Sequence, residues 1–321
     1  MSDPSYRVGI LGATGAVGQK FVRLLVDHPW FEITALAASK RSAGKTYREA
    51  VNWIDSSRVP EEVADVEVVP TEPPLECDFV FSGLSSSVAK GIEQTFANAG
   101  YPVISNAKNH RMVDEVPLLI PEVNPDHVRL IDRQSWQNGG WIVTNPNCST
   151  VGLVMALKPL VDAYGVEEVQ VTTLQALSGA GYPGVSSLDA LGNVVPYIGG
   201  EEGKMASEPL KLLGTLDEET VRPANITISP QCTRVPVLEG HLETISARLA
   251  SKASPQEVQE TLGAYTSPIG DLDLPSAPDP LIYVHEEVDA PQPRRHAEMG
   301  DGMAISVGRV RECEVLDVKF V

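Results

Sequence analysis

Along the first third of the chain, short unbroken apolar runs alternate with stretches whose apolar residues recur every three or four positions. The runs are YRVGILG, FEITALAAS, CDFVFSGL and YPVISNA; between the first two, Val17, Phe21, Leu24 and Leu25 fall on one helical face, and a second helical stretch spans Ser87 to Ala99. Strands that are apolar throughout are covered on both faces, and helices between them are the crossovers of a parallel sheet. The pattern predicts a doubly wound α/β domain with its ligand at the carboxyl ends of the strands.

The rhythm changes after the run IVTNPNC. Longer alternating segments follow, VEEVQVTTLQAL, NITISPQC, HLETISARLA, MAISVGRVRE and EVLDVKFV, which predict an α+β domain with a mostly antiparallel sheet. Two helices stand out within it. One is the apolar run from Val151 to Tyr164; the other begins at Ser254-Pro255-Gln256-Glu257, where an N-cap serine, a proline at the first helical position and a capping-box glutamate predict a helix to about Tyr265. The expected division is 1–147 for a nucleotide-binding domain and 148–321 for a catalytic and dimerisation domain. There are no internal repeats, and the one biased, loop-like stretch is SPIGDLDLPSAPDP.

Composition narrows the partners. With 321 residues, of which 42% are hydrophobic, the chain can build two cores, and no window approaches the roughly 18 consecutive apolar residues of a membrane helix. The N-terminus lacks the basic, then apolar pattern of a secretory signal, so a cytoplasmic enzyme is expected. The 43 acidic residues against 25 basic ones, a net charge of -18, argue against a nucleic-acid backbone as ligand. Such an acidic surface also fits a high-salt habitat, which unfolding midpoints at low and molar salt would test. Cys77, Cys148, Cys232 and Cys313 are widely separated, as in a reducing compartment, and no metal-ligand spacing is present.

Two short segments carry chemistry. Gly12-Ala13-Thr14-Gly15-Ala16-Val17-Gly18 leaves a strand and opens a helix, the setting in which glycines let backbone approach a dinucleotide pyrophosphate. The second strand ends Ala37-Ala38-Ser39-Lys40-Arg41-Ser42, without the acidic residue that would hold a free ribose 2'-hydroxyl. Hydroxyls at Ser39 and Ser42 and the guanidinium of Arg41 suit a 2'-phosphate, which predicts NADP rather than NAD. The other segment is Asn145-Pro146-Asn147-Cys148-Ser149-Thr150, between the strand WIVT and the following helix. It puts Cys148 at a helix N-terminus, where the dipole is expected to lower the thiol pKa.

With these segments in place, the chain resembles the aspartate-semialdehyde dehydrogenases, particularly their archaeal and fungal branch. The resemblance is carried in order by GATGAVGQ, SxRSAGK, SNAKNHRM, PEVN, NPNCST, QALSGAGYPG, GGEEGK and RVPVLEGHLE. It implies a homodimer or homotetramer that uses NADPH to convert L-4-aspartyl phosphate into L-aspartate 4-semialdehyde, a step towards lysine, threonine and methionine. Cys148 would form the thioester and His241 would be the general acid/base. Arg234 would clamp the substrate α-carboxylate, Glu201 its amine and Lys204 its phosphate. Arg111 and Asn147 would complete the phosphate or oxyanion pocket, and Gln175 would orient the acyl group.

The resemblance also implies a further C-terminal helix that returns an asparagine to the nicotinamide, whereas this sequence ends at Val321. Two rival readings share the same motifs: a malonyl-CoA reductase, and a catalytically silent subunit. Glu201 with Arg234 favours the amino-acid substrate, because only that substrate needs partners for both an amine and an α-carboxylate.

Overall fold

The computed structural model describes residues 6–218 and 220–321. It divides into two compact units, one running up to Leu119 and resuming over His127–Asn145, the other formed by Ile120–Asp126 and Pro146–Val321. The segment Ile120–Asp126, which the sequence reading places in the first domain, belongs to the second unit. It is held there by local turns and by Tyr265, whose hydroxyl donates to the Glu122 carbonyl at 2.6 Å.

The first unit is built on a six-stranded parallel sheet. Its strands are β1 (Tyr6–Leu11), β2 (Phe31–Ala38), β3 (Val68–Pro70), β4 (Phe79–Ser82), β5 (Pro102–Ser105) and β6 (Trp141–Thr144), in the order β3-β2-β1-β4-β5-β6. That order reverses between β1 and β4, which opens a crevice at their carboxyl ends. The helices are α1 (Ala16–Leu25), the single turns α2 (Tyr47–Ala50) and α3 (Glu61–Ala64), and α4 (Ala89–Asn98). On α1 the buried stripe runs through Gly18, Val22 and Leu25, while Leu24, expected on the same face, is 56% exposed. Positions four and three apart stack on a helix, and Leu24 adjoins Leu25 around the turn instead of lying above it.

In the second unit, the helices are α5 (Cys148–Tyr164), the single turn α6 (Ser187–Ala190), α7 (Glu201–Leu212), α8 (Pro255–Gly263) and the single turn α9 (Pro293–His296). The strands are β7 (Val166–Gln175), the short pair β8 (Thr215–Leu216) and β9 (Val221–Arg222), then β10 (Thr227–Arg234), β11 (Leu242–Leu249), β12 (Ile282–His285), β13 (Ile305–Gly308), β14 (Arg311–Glu312) and β15 (Val318–Phe320). The main sheet has the order β10-β7-β11-β15-β14. Its pairs are antiparallel except β10 with β7, so the expected mostly antiparallel sheet is present. Pro230, which has no N–H to give a ladder, sits in β10 at the edge, where only one side is paired.

Helix α5 is buried through Leu153, Val154, Leu157 and Leu160, apolar nearly all round as a core helix must be. Helix α8 starts as its sequence dictates: the Ser254 hydroxyl accepts from the Glu257 amide at 3.3 Å and the Glu257 carboxylate accepts from the Ser254 amide at 2.7 Å. Among the described residues no helix is long and apolar enough to cross a membrane.

Candidate active site

The thiol site is built from the ends of five segments of the second unit. Asn147 caps α5, its side-chain oxygen accepting from the amides of Ser149 at 3.1 Å and Thr150 at 3.4 Å, which leaves Cys148 as the first helical residue. The same side chain donates through Nδ2 to both Glu201 carboxylate oxygens, at 2.7 and 3.0 Å. Its backbone N–H donates to Glu208 Oε2 at 2.7 Å. Glu201 and Glu208 stand two turns apart on α7, so one face of that helix grips the residue before the cysteine.

Strand order brings the remaining groups in. Because β7 lies between β10 and β11, Arg234 at the end of β10 pairs in register with Gln175, and Leu242 at the start of β11 with Leu174. His241, one residue earlier, thereby reaches the thiol: its Nε2 is 3.1 Å from Cys148 Sγ. Its Nδ1 accepts the Ala176 N–H at 3.1 Å, and the Ala176 carbonyl in turn accepts from Arg234 Nη1. Gly179 faces both side chains, since a Cβ there would stand 3.0 Å from His241 Cε1 and 3.1 Å from Arg234 Nη1. Lys204 closes the group, its Nζ 3.1 Å from Glu201 Oε1 one turn along α7.

The electrostatics depart from the expectation drawn from the helix terminus. Desolvation by the surrounding side chains and then the Glu201 carboxylate push the Cys148 thiol above its ordinary value, against the Ser149 and Cys148 amides and Lys204, which pull it down. A half-charge at a helix end is outweighed when desolvation acts on the thiol and a whole carboxylate stands nearby. The His241 imidazole is held below its ordinary value, first by burial and then by the Arg234 charge.

Arg111 lies in the first unit, buried just after a turn of 3-10 helix (Lys108–His110), its Nη2 donating to the Asn106 carbonyl at 2.8 Å. The glycine segment is also there, at the sheet crevice. Gly12 leaves β1 at φ +77, and a Cβ on Gly18 would stand 2.2 Å from the Gly12 carbonyl oxygen. Gly15 is the N-cap of α1 without a side-chain cap, so the first helical N–H groups are open to a phosphate. After β2, Ser39 and Arg41 are exposed, Ser42 is buried with its amide on the Ser39 carbonyl at 2.8 Å, and Arg41 forms no ion pair among the described residues. Lys40 instead pairs with Glu72 at 3.1 Å. The cradle and the uncommitted guanidinium fit a phosphorylated dinucleotide.

Residues 7–131 match the family model described as semialdehyde dehydrogenase, NAD binding domain, and residues 157–321 match the semialdehyde dehydrogenase dimerisation domain. The aspartate-semialdehyde dehydrogenase of Archaeoglobus fulgidus is 49% identical over 98% of this chain and 92% of its own length. That of Schizosaccharomyces pombe is 47% identical over 98% and 91%. The crystal structure of the Candida albicans enzyme with NADP superposes with a TM-score of 0.91 at 43% identity, covering 98% of this chain and 92% of that one. The chain belongs to the aspartate-semialdehyde dehydrogenase family.

Two features of this family member were not found from sequence. Glu243, the second residue of β11 and two after His241, has both carboxylate oxygens buried and without hydrogen-bond partners. Burial raises it to about 8. It lines a cavity of about 370 Å³ together with Cys148, Gly152, His241 and Phe320. In the first unit, Glu93 is fully buried and accepts from Ser82 Oγ and Ser105 Oγ, both at 2.6 Å, with His110 Nε2 at 3.6 Å. This cluster ties α4 to the ends of β4 and β5 and to the turn that precedes Arg111. Its signal was present: Glu93 occupies the α4 stripe otherwise made by Ala89, Phe96 and Ala97.

Proposed function

We propose that this chain reduces L-4-aspartyl phosphate to L-aspartate 4-semialdehyde, with NADPH as reductant and a thioester on Cys148, in the route to lysine, threonine and methionine. The observation that carries the reading is the 3.1 Å approach of His241 Nε2 to Cys148 Sγ, at a helix N-terminus ringed by Arg234, Glu201 and Lys204.

The resemblance implies a task for each residue, and the surroundings support it. The Cys148 thiolate attacks the acyl carbon and phosphate leaves, giving the thioester. His241 accompanies both the sulfur and the tetrahedral oxygen that forms beside it. Arg234, its Nη1 fixed on the Ala176 carbonyl, presents its remaining donors to the substrate α-carboxylate. Glu201 takes the substrate amine and Lys204 the departing phosphate, with Gln175 orienting the acyl group. An amine at Glu201 would also offset the carboxylate that raises the thiol, which makes the thiolate easier to form once substrate is in place. Asn147, whose amide is engaged at both ends, serves by holding Cys148 and Glu201 in register.

NADPH, when bound, supplies the hydride that reduces the thioester. Gly12, Thr14, Gly15, Ala16, Val17 and Gly18 would hold its pyrophosphate, and Ser39, Arg41 and Ser42 its 2'-phosphate. The first unit is thus the cofactor domain and the second the catalytic and dimerisation domain of a cytoplasmic homodimer or homotetramer.

The deciding experiment is phosphate-dependent reduction of NADP by the purified protein given aspartate semialdehyde, with a Cys148→Ala variant beside it. Turnover lost only in the variant supports substrate and nucleophile together. Reduction of malonyl-CoA without turnover of aspartate semialdehyde would overturn the substrate assignment.

A further inference from the structure

Glycines let the turn between β1 and α1 follow its path, but they do not fix which of its backbone groups face outward. Two side chains do. The Tyr47 hydroxyl, on α2, donates to the Ala13 carbonyl at 2.9 Å. Gln19 Nε2 donates to the Thr14 carbonyl and to the Asn52 carbonyl, both at 3.0 Å, while its Oε1 accepts the Ile54 N–H at 2.9 Å. Two consecutive carbonyls of the turn are thereby tied to residues 47–54, the stretch that shortly follows Ser39, Arg41 and Ser42. We propose that Tyr47 and Gln19 are positioning residues of the dinucleotide site: they hold the Ala13 and Thr14 carbonyls inward, so that the Thr14 N–H and the open N–H groups at the start of α1 stay turned towards a pyrophosphate.

A peptide unit is planar and trans, so a carbonyl aimed one way sends the next residue's N–H the other. Tyr47 is fully buried in the same apolar cluster as Ala13, which makes the carbonyl direction inward and the Thr14 N–H direction outward. The other amides of the turn are taken. Those of Gly12 and Ala13 donate to the Ala37 carbonyl at 2.8 and 3.0 Å, and that of Gly15 to the Gly12 carbonyl at 2.9 Å. Thr14 therefore carries the turn's remaining donor ahead of the helix.

Both ties are themselves braced. The Tyr47 N–H donates to the Val66 carbonyl at 2.8 Å, and its ring meets Trp53 edge-on with centroids 6.4 Å apart. One residue earlier, the Thr46 N–H is held by the Glu49 carboxylate at 3.1 Å. Gln19 is buried with both ends of its amide engaged. Without the Tyr47 hydroxyl the Ala13 carbonyl is left buried and unpaired, a cost the turn relieves by rotating that peptide and swinging the Thr14 N–H away from the ligand.

This inference rests on the assignment of the glycine turn and of residues 39–42 to NADPH, and the test separates the two. Wild type and Tyr47→Phe, which loses only the hydroxyl, are titrated with three ligands: NADPH; ADP-ribose, which has a pyrophosphate and no 2'-phosphate; and adenosine 2'-monophosphate, which has the reverse. Tyr47→Phe is expected to weaken NADPH and ADP-ribose alike, by about 3- to 10-fold, and to leave adenosine 2'-monophosphate within about twofold of wild type. Gln19→Ala, which releases the Thr14 carbonyl, is expected to give the same pattern, and each variant decides for its own residue. A lowered unfolding midpoint with all three affinities unchanged is what a merely structural tie gives, and equal losses of all three ligands mean damage to the whole unit; either result overturns the proposal. If wild type binds neither NADPH nor ADP-ribose, the cofactor assignment itself falls and the positioning role with it.

Discussion

The glycine cradle of the first unit and the thiol site of the second are assembled in opposite ways. The cradle is one contiguous turn, Gly12 to Gly18, whose function is written in the absence of side chains and whose path is set by the turn's own glycines. The thiol site takes Cys148 from α5, Ala176 from the end of β7, Glu201 from α7, Arg234 from β10 and His241 from the turn before β11. A local site is governed by sterics within a few residues. A dispersed one is governed by strand order: segments that sequence order does not bring together desolvate the thiol and then set the Glu201 charge beside it, so it sits higher than its helix position alone would put it.

The largest effect expected from breaking this contrast is at the dispersed site. Cys148→Ala should lower turnover about 10⁴-fold or more, while NADPH titrated by fluorescence still binds the intact cradle. If NADPH binding is lost as well, the two sites are not independent. Gly18→Ala is the converse: the new Cβ would collide with the Gly12 carbonyl oxygen, so NADPH affinity should fall and the first unit lose about 1–3 kcal/mol by denaturant unfolding, with Cys148 still alkylated by iodoacetamide. Unchanged NADPH affinity would mean the turn yields more readily than its glycines indicate.

Removing one charge-assisted contact should do less. Arg41→Ala is expected to raise the NADPH KM about 10- to 100-fold with little change in kcat and none in the weak use of NADH. An equal effect on both cofactors would remove the 2'-phosphate from the account.

The last effect is one of stability and is read as a dependence on pH. Glu243 is raised from an ordinary carboxyl value to about 8, so the folded protein holds a proton there that the unfolded chain releases from about pH 4.5 upwards. Stability from this group is complete below the unfolded value and declines as pH rises towards 8, by on the order of a few kcal/mol. Glu243→Gln cannot ionise, and its unfolding midpoint should change less between about pH 5.5 and 8 than that of wild type. Parallel curves would show that Glu243 is not the group responsible.

The sequence by itself determined whatever depends on neighbours along the chain. The strand-glycine-helix entry of the first unit, the cap that places Cys148 at the start of α5, and the Ser254–Glu257 capping box all follow from residues within one turn of each other. So does the acidless end of β2 that exposes Arg41. The motif resemblance then pointed to His241, Arg234 and Glu201 as partners of Cys148, although no spacing rule links them.

Only the tertiary structure decided how those partners act. It commits both ends of the Asn147 amide to Glu201 and to α5, turns Nδ1 of His241 onto the Ala176 amide, and buries Glu243 without a partner. It assigns Ile120–Asp126 to the second unit. Each of these outcomes is set by which groups share a few ångströms of space. Hydrogen bonds and desolvation act over that distance, whatever the separation along the chain.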